Sequence, residues 1–170
     1  MSTPPAVSLQ PFERRHLAQT LQWTNDPELA RLLDRSRQIA TDEHEQWFAS
    51  LATRQDTKFF AIEDDARHIG NVWLADIDVR HRKAEVRIVI AADAVNRGSG
   101  THGLSLISDY AFNVMKLHRL YAVVLAFNPR GRRAFEKAGF VLEGTLRDDR
   151  FDGTQYVDAF LLARINTSPE

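Results

Sequence analysis

Residues 86–112 read V-R-I-V-I-A-A-D-A-V-N-R-G-S-G-T-H-G-L-S-L-I-S-D-Y-A-F, and this stretch constrains the chain more than any other. Val86, Ile88 and Ile90 alternate among β-branched neighbours, which predicts a strand. From Thr101 onward Leu104, Ile107, Ala111 and Val114 recur at helical spacing, which predicts a helix. Between them lie Asn96, Arg97, Gly98, Ser99 and Gly100. Glycines there allow positive φ and a close backbone approach, and the first amides of the helix lack internal partners at the positive end of its dipole. Such a turn can cradle a phosphate. It can equally be an ordinary strand-to-helix connection with Thr101 as the N-cap.

The two commonest nucleotide fingerprints, G-x-x-x-x-G-K-[ST] and G-x-G-x-x-G, are absent. A chain of 170 residues suits one domain, residues 1–170, with 1–5 and 166–170 read as loose tails. Lys and Arg number 22 against 23 Asp and Glu, so bulk charge gives no support to nucleic-acid or membrane binding. No cysteine is present, which excludes thiolate metal ligands and a thiol nucleophile. The six histidines form no short-spaced pair, and no metal site is expected. No apolar run reaches the roughly 20 residues that span a bilayer. The start M-S-T-P-P-A-V lacks a basic, then apolar, leader pattern, and a cytoplasmic location is expected.

In chain order, Val7, Leu9 and Phe12 predict a short strand, and residues 13–33 two short helices divided at T-N-D-P, where Asn25 or Asp26 can cap the second with Pro27 in its first turn. Thr41 and His44 stand as a near-miss capping box, and Trp47, Phe48 and Leu51 give a helix ending near Ala52 its apolar, core-facing side. Residues 59–62, 69–77 and 84–90 are three strands separated by short polar turns, an antiparallel meander. Residues 120–127, L-Y-A-V-V-L-A-F, are continuously apolar, as in a strand buried on both faces. Residues 132–138 form a short helix closed by Gly139. Strands at 140–143 and 156–163 follow, with the charged run 147–152 between them ending in an Asp152-Gly153 turn. The sum is an α+β fold with a mixed, largely antiparallel sheet flanked by helices.

V-N-R-G-S-G, N-P-R-G-R-R-A-F-E-K-A-G-F and the closing G-T-L-R-D with Y-V-D-A-F resemble the GNAT superfamily of N-acetyltransferases, which use acetyl-CoA. W-T-N-D-P, T-D-E-H-E-Q-W-F and I-G-N-V-W-L-A-D-I-D resemble its subgroup acting on ribosomal-protein N-termini, amino sugars, polyamines and aminoglycosides. The resemblance implies that the loop Val95, Asn96, Arg97, Gly98, Ser99, Gly100, continuing into Thr101, holds the CoA pyrophosphate through backbone amides. Val95 stands where Gln or Arg is usual. Arg97 either adds a phosphate contact or is a solvated loop residue. The resemblance further implies two splayed strands, with the backbone of Ile88, Val89 and Ile90 meeting the pantetheine arm and residues 120–127 alongside. Asn128 would meet the CoA arm and Arg133 the phosphates, while Glu136 and Lys137 read as a solvated face.

Attack of an amine on a thioester needs a neutral amine and a protonated leaving thiol, hence a base and an acid. Glu85 is the expected base, its pKa raised by an apolar cleft, or else a cross-strand partner for an Arg. Asp76, Asp78 and His81 are second choices. The family's frequent proton-donating Tyr is Phe135 here. Tyr110, Tyr121 or water would then supply the proton, or CoA would leave as the thiolate. The reading is a CoA-dependent N-acetyltransferase working by direct attack in a ternary complex, its acceptor a protein N-terminal amine or a small-molecule amine such as an amino sugar. The alternative is a non-catalytic module that binds CoA or another phosphorylated ligand. An exposed sheet edge would suit a homodimer.

Overall fold

The computed structural model describes residues 7–167, and one seven-stranded sheet runs through them in the order β1-β2-β3-β4-β5-β7-β6. The strands are β1 (Val7–Pro11), β2 (Lys58–Asp64), β3 (Arg67–Asp78), β4 (Lys83–Ile90), β5 (Arg119–Leu125), β6 (Val141–Phe151) and β7 (Tyr156–Ile165). The helices are α1 (Leu17–Asn25), α2 (Pro27–Leu32), α3 (Thr41–Leu51), α4 (Ser99–Asp109) and α5 (Pro129–Lys137). Every strand pair is antiparallel except β4 and β5, which run parallel. The expected mixed, largely antiparallel sheet flanked by helices is what forms. Among the described residues no helix is long and apolar enough to cross a membrane.

Period-two patterning decides which helix covers which face. Phe59 and Trp73, opposite one another on β2 and β3, stack at 4.9 Å beneath α3, whose Trp47 meets Phe59 edge-on at 5.1 Å. On the same face Asn71 donates to Thr20 of α1 at 3.0 Å. Phe60 and Ile62 point the other way. There α4 covers them: Tyr110 lies edge-on to Phe60, and Gly103 approaches Ile62 so closely that an added Cβ would stand 2.8 Å from its Cδ1. Ile62, Leu74, Leu104, Ile107, Leu120 and Leu162 are fully buried between sheet and helices. Each contributes about 1.5–3 kcal/mol by leaving water.

Local signals account for the helix boundaries. Asp26 Oδ1 accepts from the amide of Leu29 at 2.9 Å with Pro27 beside it, so α2 begins as its sequence predicts. Gly139, at φ +89, ends α5. Thr101 is not the N-cap of α4. The helix starts two residues earlier, at Ser99, and its N-cap is Gly98 in the left-handed region at φ +82. Beyond Asp109 the helix widens into a π turn, Tyr110–Val114, which no sequence periodicity announces.

Two expectations for the C-terminal strands need correction. Strand β5 is not buried on both faces; Tyr121 and Val123 are only half-buried, and Val123 lines a cleft. The strand expected at 140–143 runs on to Phe151 and takes in most of the charged run 147–152, as a sheet-edge strand whose outward charges cost nothing in water. Register shifts at Leu142/Gly144 and Leu146/Arg150, with Asp148 at φ 51, interrupt its alternation and disguise it. Of the predicted tails, residues 1–5 and 168–170 lie outside the described residues, while Asn166 donates its amide to His118 at 2.8 Å.

Candidate active site

Strands β4 and β5 pair over only three rungs, Lys83 with Arg119, Ala84 with Leu120 and Glu85 with Tyr121. Beyond Glu85 they separate. Strand β4 continues along β3 as far as Ile90, and β5 continues along β7 as far as Leu125, so the facing edges from Val86 and Ala122 onward lack a strand partner. A cleft of about 460 Å³ fills the divergence, walled by Glu85, Val86, Arg87, Ile88, Val89 and Ile90 on one side and Val123, Val124 and Leu125 on the other. Glu85 sits at its apex, 7% exposed on the last shared rung.

The wide end is closed by the loop before α4 and by α5. Val95, Asn96, Gly98, Gly100, Thr101, Asn128 and Arg133 all line the cleft, so most of the predicted donor set converges. Asn96 and Gly98 take positive φ and turn the chain sharply on either side of Arg97. Arg97 ends exposed and off the cleft wall. Ser99 is also off the wall, buried, with its Oγ lacking a hydrogen-bond partner. Asn128 also caps α5, its Oδ1 accepting from the amide of Gly131 at 2.9 Å. A Cβ at Gly131 would stand 2.5 Å from Asn128 Nδ2, so the glycine lets the asparagine fold over the helix end. Arg130 and Lys137 join Arg133 on the wall, and Lys137 is therefore not merely part of a solvated face. Arg132 turns away, pairing with Glu136 at 2.8 Å and lying over the Phe160 ring at 4.5 Å.

The α2 side of the cleft contains what the sequence did not reveal. Leu29 and Leu32 of α2, then Leu33 and Asp34, line it together with Arg150 of β6. Arg150 donates to Asp34 at 2.9 Å, joining segments more than a hundred residues apart. Glu85 Oε2 accepts from Arg87 Nη2 at 2.7 Å; the partner is two residues along the same strand, not across it. That hydrogen bond is the main reason the Arg87 guanidinium is raised above its ordinary pKa. Phe135 lines the cleft, nearly buried and edge-on to Phe140 at 5.1 Å, and offers no proton.

Neither alternative phenol lines the cleft, although Tyr121 is the rung partner of Glu85. Burial first, then the charges of Glu85 and Asp76, push Tyr121 above its ordinary pKa. Asp76 lies exposed on the β3 bulge at φ 49, one residue past the partner of Glu85. Asp78 and His81 bond to each other at 2.7 Å in the next turn, away from the cleft. Among the described residues no group of three His, Asp or Glu could hold a metal ion.

With this geometry in view, comparison with known families is direct. Residues 7–141 match the acetyltransferase (GNAT) domain model. The chain belongs to the GNAT acetyltransferase family. Like its relatives it is an N-acetyltransferase. The spermidine N(1)-acetyltransferase of Escherichia coli K12 is 30% identical over 154 residues, covering 91% of this GNAT chain and 83% of that one. The L-amino acid N-acetyltransferase of the same strain is 24% identical over 131 residues, covering 75% and 80%. Among solved structures, the spermidine N-acetyltransferase of Vibrio cholerae in complex with CoA and spermine superimposes with a TM-score of 0.89 at 27% identity, covering 94% of this chain and 95% of that one.

Proposed function

We propose that this chain moves an acetyl group from acetyl-CoA to the primary amine of a small molecule, by direct attack with both substrates bound. The observation that carries the reading is the divergence of β4 from β5 past Glu85, which leaves two strand edges facing a cleft with a glycine-bearing helix start at its wide end. A donor with a diphosphate at one end and an amide-containing arm fits that wall. The open space around Gly98 agrees with a ligand beside the start of α4. The amides after Gly98 would hold the phosphates, with Arg133, Arg130 and Lys137 supplying counter-charge. Ile88, Val89 and Ile90 would offer backbone groups to the arm.

The donor supplies an acetyl thioester, an electrophile at the apex. Glu85 takes the proton of the incoming ammonium, directly or through one water, and Arg87 holds its carboxylate in place. Phe135 lines the cleft and has no proton to give, so the departing thiolate is protonated from solvent. With no cysteine in the chain, no thiol acyl-enzyme can form. The relatives named for spermidine support a small amine over a protein N-terminus. Exposed Phe151 at the end of the β6 edge, with Tyr156 beside it at 5.3 Å, supports association of two copies.

The test is thiol release from acetyl-CoA in the presence of a panel of amines, spermidine included. Amine-dependent release is expected. No acceleration by any amine, with acetyl-CoA still raising the melting temperature, would make the chain a binding module.

A further inference from the structure

Register places Glu85 and Arg87 opposite Ala75 and Trp73, on the face of the sheet that α3 covers. Helix α4 packs Gly103 against Ile62 and Ile88 on the opposite face. An amine that approaches Glu85 from the side away from α4 must pass residues 26–38, whose Leu29, Leu32, Leu33 and Asp34 line the cleft. Leu29 is buried and Leu32 and Leu33 are half-buried, whereas Glu28, Arg31 and residues 34–38 are exposed.

This segment is attached unevenly. Asn25 Nδ2 donates to the carbonyl of Ile39 at 2.9 Å and Asn25 Oδ1 accepts from the Ile39 amide at 2.8 Å, which ties its two ends together. Arg35 donates to Thr24 Oγ1 at 3.2 Å and Arg37 to Glu43 at 2.9 Å, both on that same side. Across the cleft, Arg31 lies over the Phe127 ring at 4.0 Å and Asp34 accepts from Arg150 Nε at 2.9 Å. Phe127 follows β5 and Arg150 stands on β6, so both contacts reach the half of the sheet from which β4 diverges. The Asp34 and Arg150 side chains are 47% and 39% exposed, and water and salt compete for an ion pair so open. Asp149 also holds Arg150, at 2.5 Å, so Arg150 keeps a partner on β6 when Asp34 leaves.

We infer that residues 26–38 are a hinged lid that admits and then retains the acceptor amine, with Asp34 and Arg150 as its latch. The Asn25–Ile39 clamp is the fixed end, and parting Asp34 from Arg150 opens the way to Glu85. Closure brings the leucines back over the bound amine, keeps it facing Glu85 and excludes water. Asp34 and Arg150 are thus positioning residues, acting on the acceptor through the lid.

The inference rests on acetyl transfer taking place in this cleft, and the experiment keeps the two apart. Because the chain has no cysteine, Asp34→Cys with Arg150→Cys supplies its only two thiols, which a short bis-maleimide with a reducible linker can join. Acetylated product is measured by mass spectrometry for spermidine and a panel of other primary amines. The joined form should lose roughly tenfold or more in turnover of every acceptor, bind acetyl-CoA within about twofold by calorimetry, and recover when the linker is cleaved. Asp34→Asn, which loosens the latch, should raise the acceptor KM by roughly three- to tenfold with kcat and acetyl-CoA affinity little changed. A joined form that turns over at full rate, or that also loses acetyl-CoA, overturns the lid, as does an unaltered KM in Asp34→Asn. Should the wild type acetylate no amine although acetyl-CoA binds, the transfer reading fails and amide exchange decides the lid. Faster exchange in α2 than in α1 and α3, and faster again in Asp34→Asn, supports it; exchange matching those helices, or unmoved by the substitution, overturns it.

Discussion

The wide and narrow ends of the cleft are built from different materials. At the wide end the chain offers backbone: unpaired strand edges at Ile88, Val89 and Ile90 and the helix start after Gly98. At the narrow end it offers a side-chain pair, Glu85 with Arg87, and a second pair, Asp34 with Arg150, closes the side toward α2. Backbone recognition depends on the shape of the chain and tolerates many side chains, which is how Val95 can stand where a longer polar residue is usual. Side-chain recognition changes with single substitutions. One end can thus stay the same across a family while the other is remade.

The largest effect should come from the apex. Glu85→Gln keeps the shape but not the base, and turnover should drop by roughly 10²- to 10³-fold while the affinity for acetyl-CoA, read by calorimetry, stays within about twofold. Unchanged turnover would remove Glu85 from its role. At the wide end, Gly98→Val forces a β-branched residue into φ +82, and Gly100→Leu projects a side chain beside Ile90 at the mouth of the cleft. Each should weaken acetyl-CoA binding by about 10- to 100-fold, worth roughly 1.4–2.7 kcal/mol. If either is silent, the backbone account of this end is wrong.

This contrast also explains what could be read from the sequence. The glycines at 98 and 100, the alternation of Val86, Ile88 and Ile90, and the Asp26-Pro27 cap are local signals, and local signals predicted the meander, the loop and α2. The place of Asp34 and Arg150 in the cleft wall depends on β6 returning beside α2, a contact across more than a hundred residues that leaves no periodic trace. The charged face of β6 hid the strand itself, since an edge strand with outward charges and two register shifts carries the composition of a loop. For Arg97 the sequence allows a phosphate contact or a solvated loop residue, and nothing local announces the two flanking left-handed residues between which it lies exposed.

Acid should separate the two walls by stability. The α2 side of the cleft packs on α1, which packs in turn on α3. His44 of α3 meets the carbonyl of Leu17 at 3.2 Å, and His68 of β3 lies 4.6 Å from the Trp23 ring. Burial is the leading cause holding both below the ordinary value of 6.5. The folded chain therefore resists protonation that the unfolded chain accepts, so their contribution is complete above about pH 6.5 and is lost as pH falls below it through the folded values. The melting temperature should be lower at pH 5.5 than at 7.5, with hydrogen exchange rising first in α1 to α3 rather than in α4. The smallest effects belong to Val95→Ala, under about threefold on acetyl-CoA binding if amides do the holding, and to Tyr121→Phe. Burial raises the pKa of Tyr121 above its ordinary value, so its removal should leave the alkaline limb of the pH profile in place.

The three rungs joining β4 to β5 have a mechanical meaning as well. Strands β1 to β4 and β5 to β7 are two plates that meet along a short seam, and Glu85 is fixed at the seam's open end. A ligand arm lying between the plates would act as a rivet, bonded to one edge and packed against the other. Its arrival should stiffen the molecule across the seam and slow amide exchange along both facing edges, while its departure leaves the apex held by a hinge three residues long.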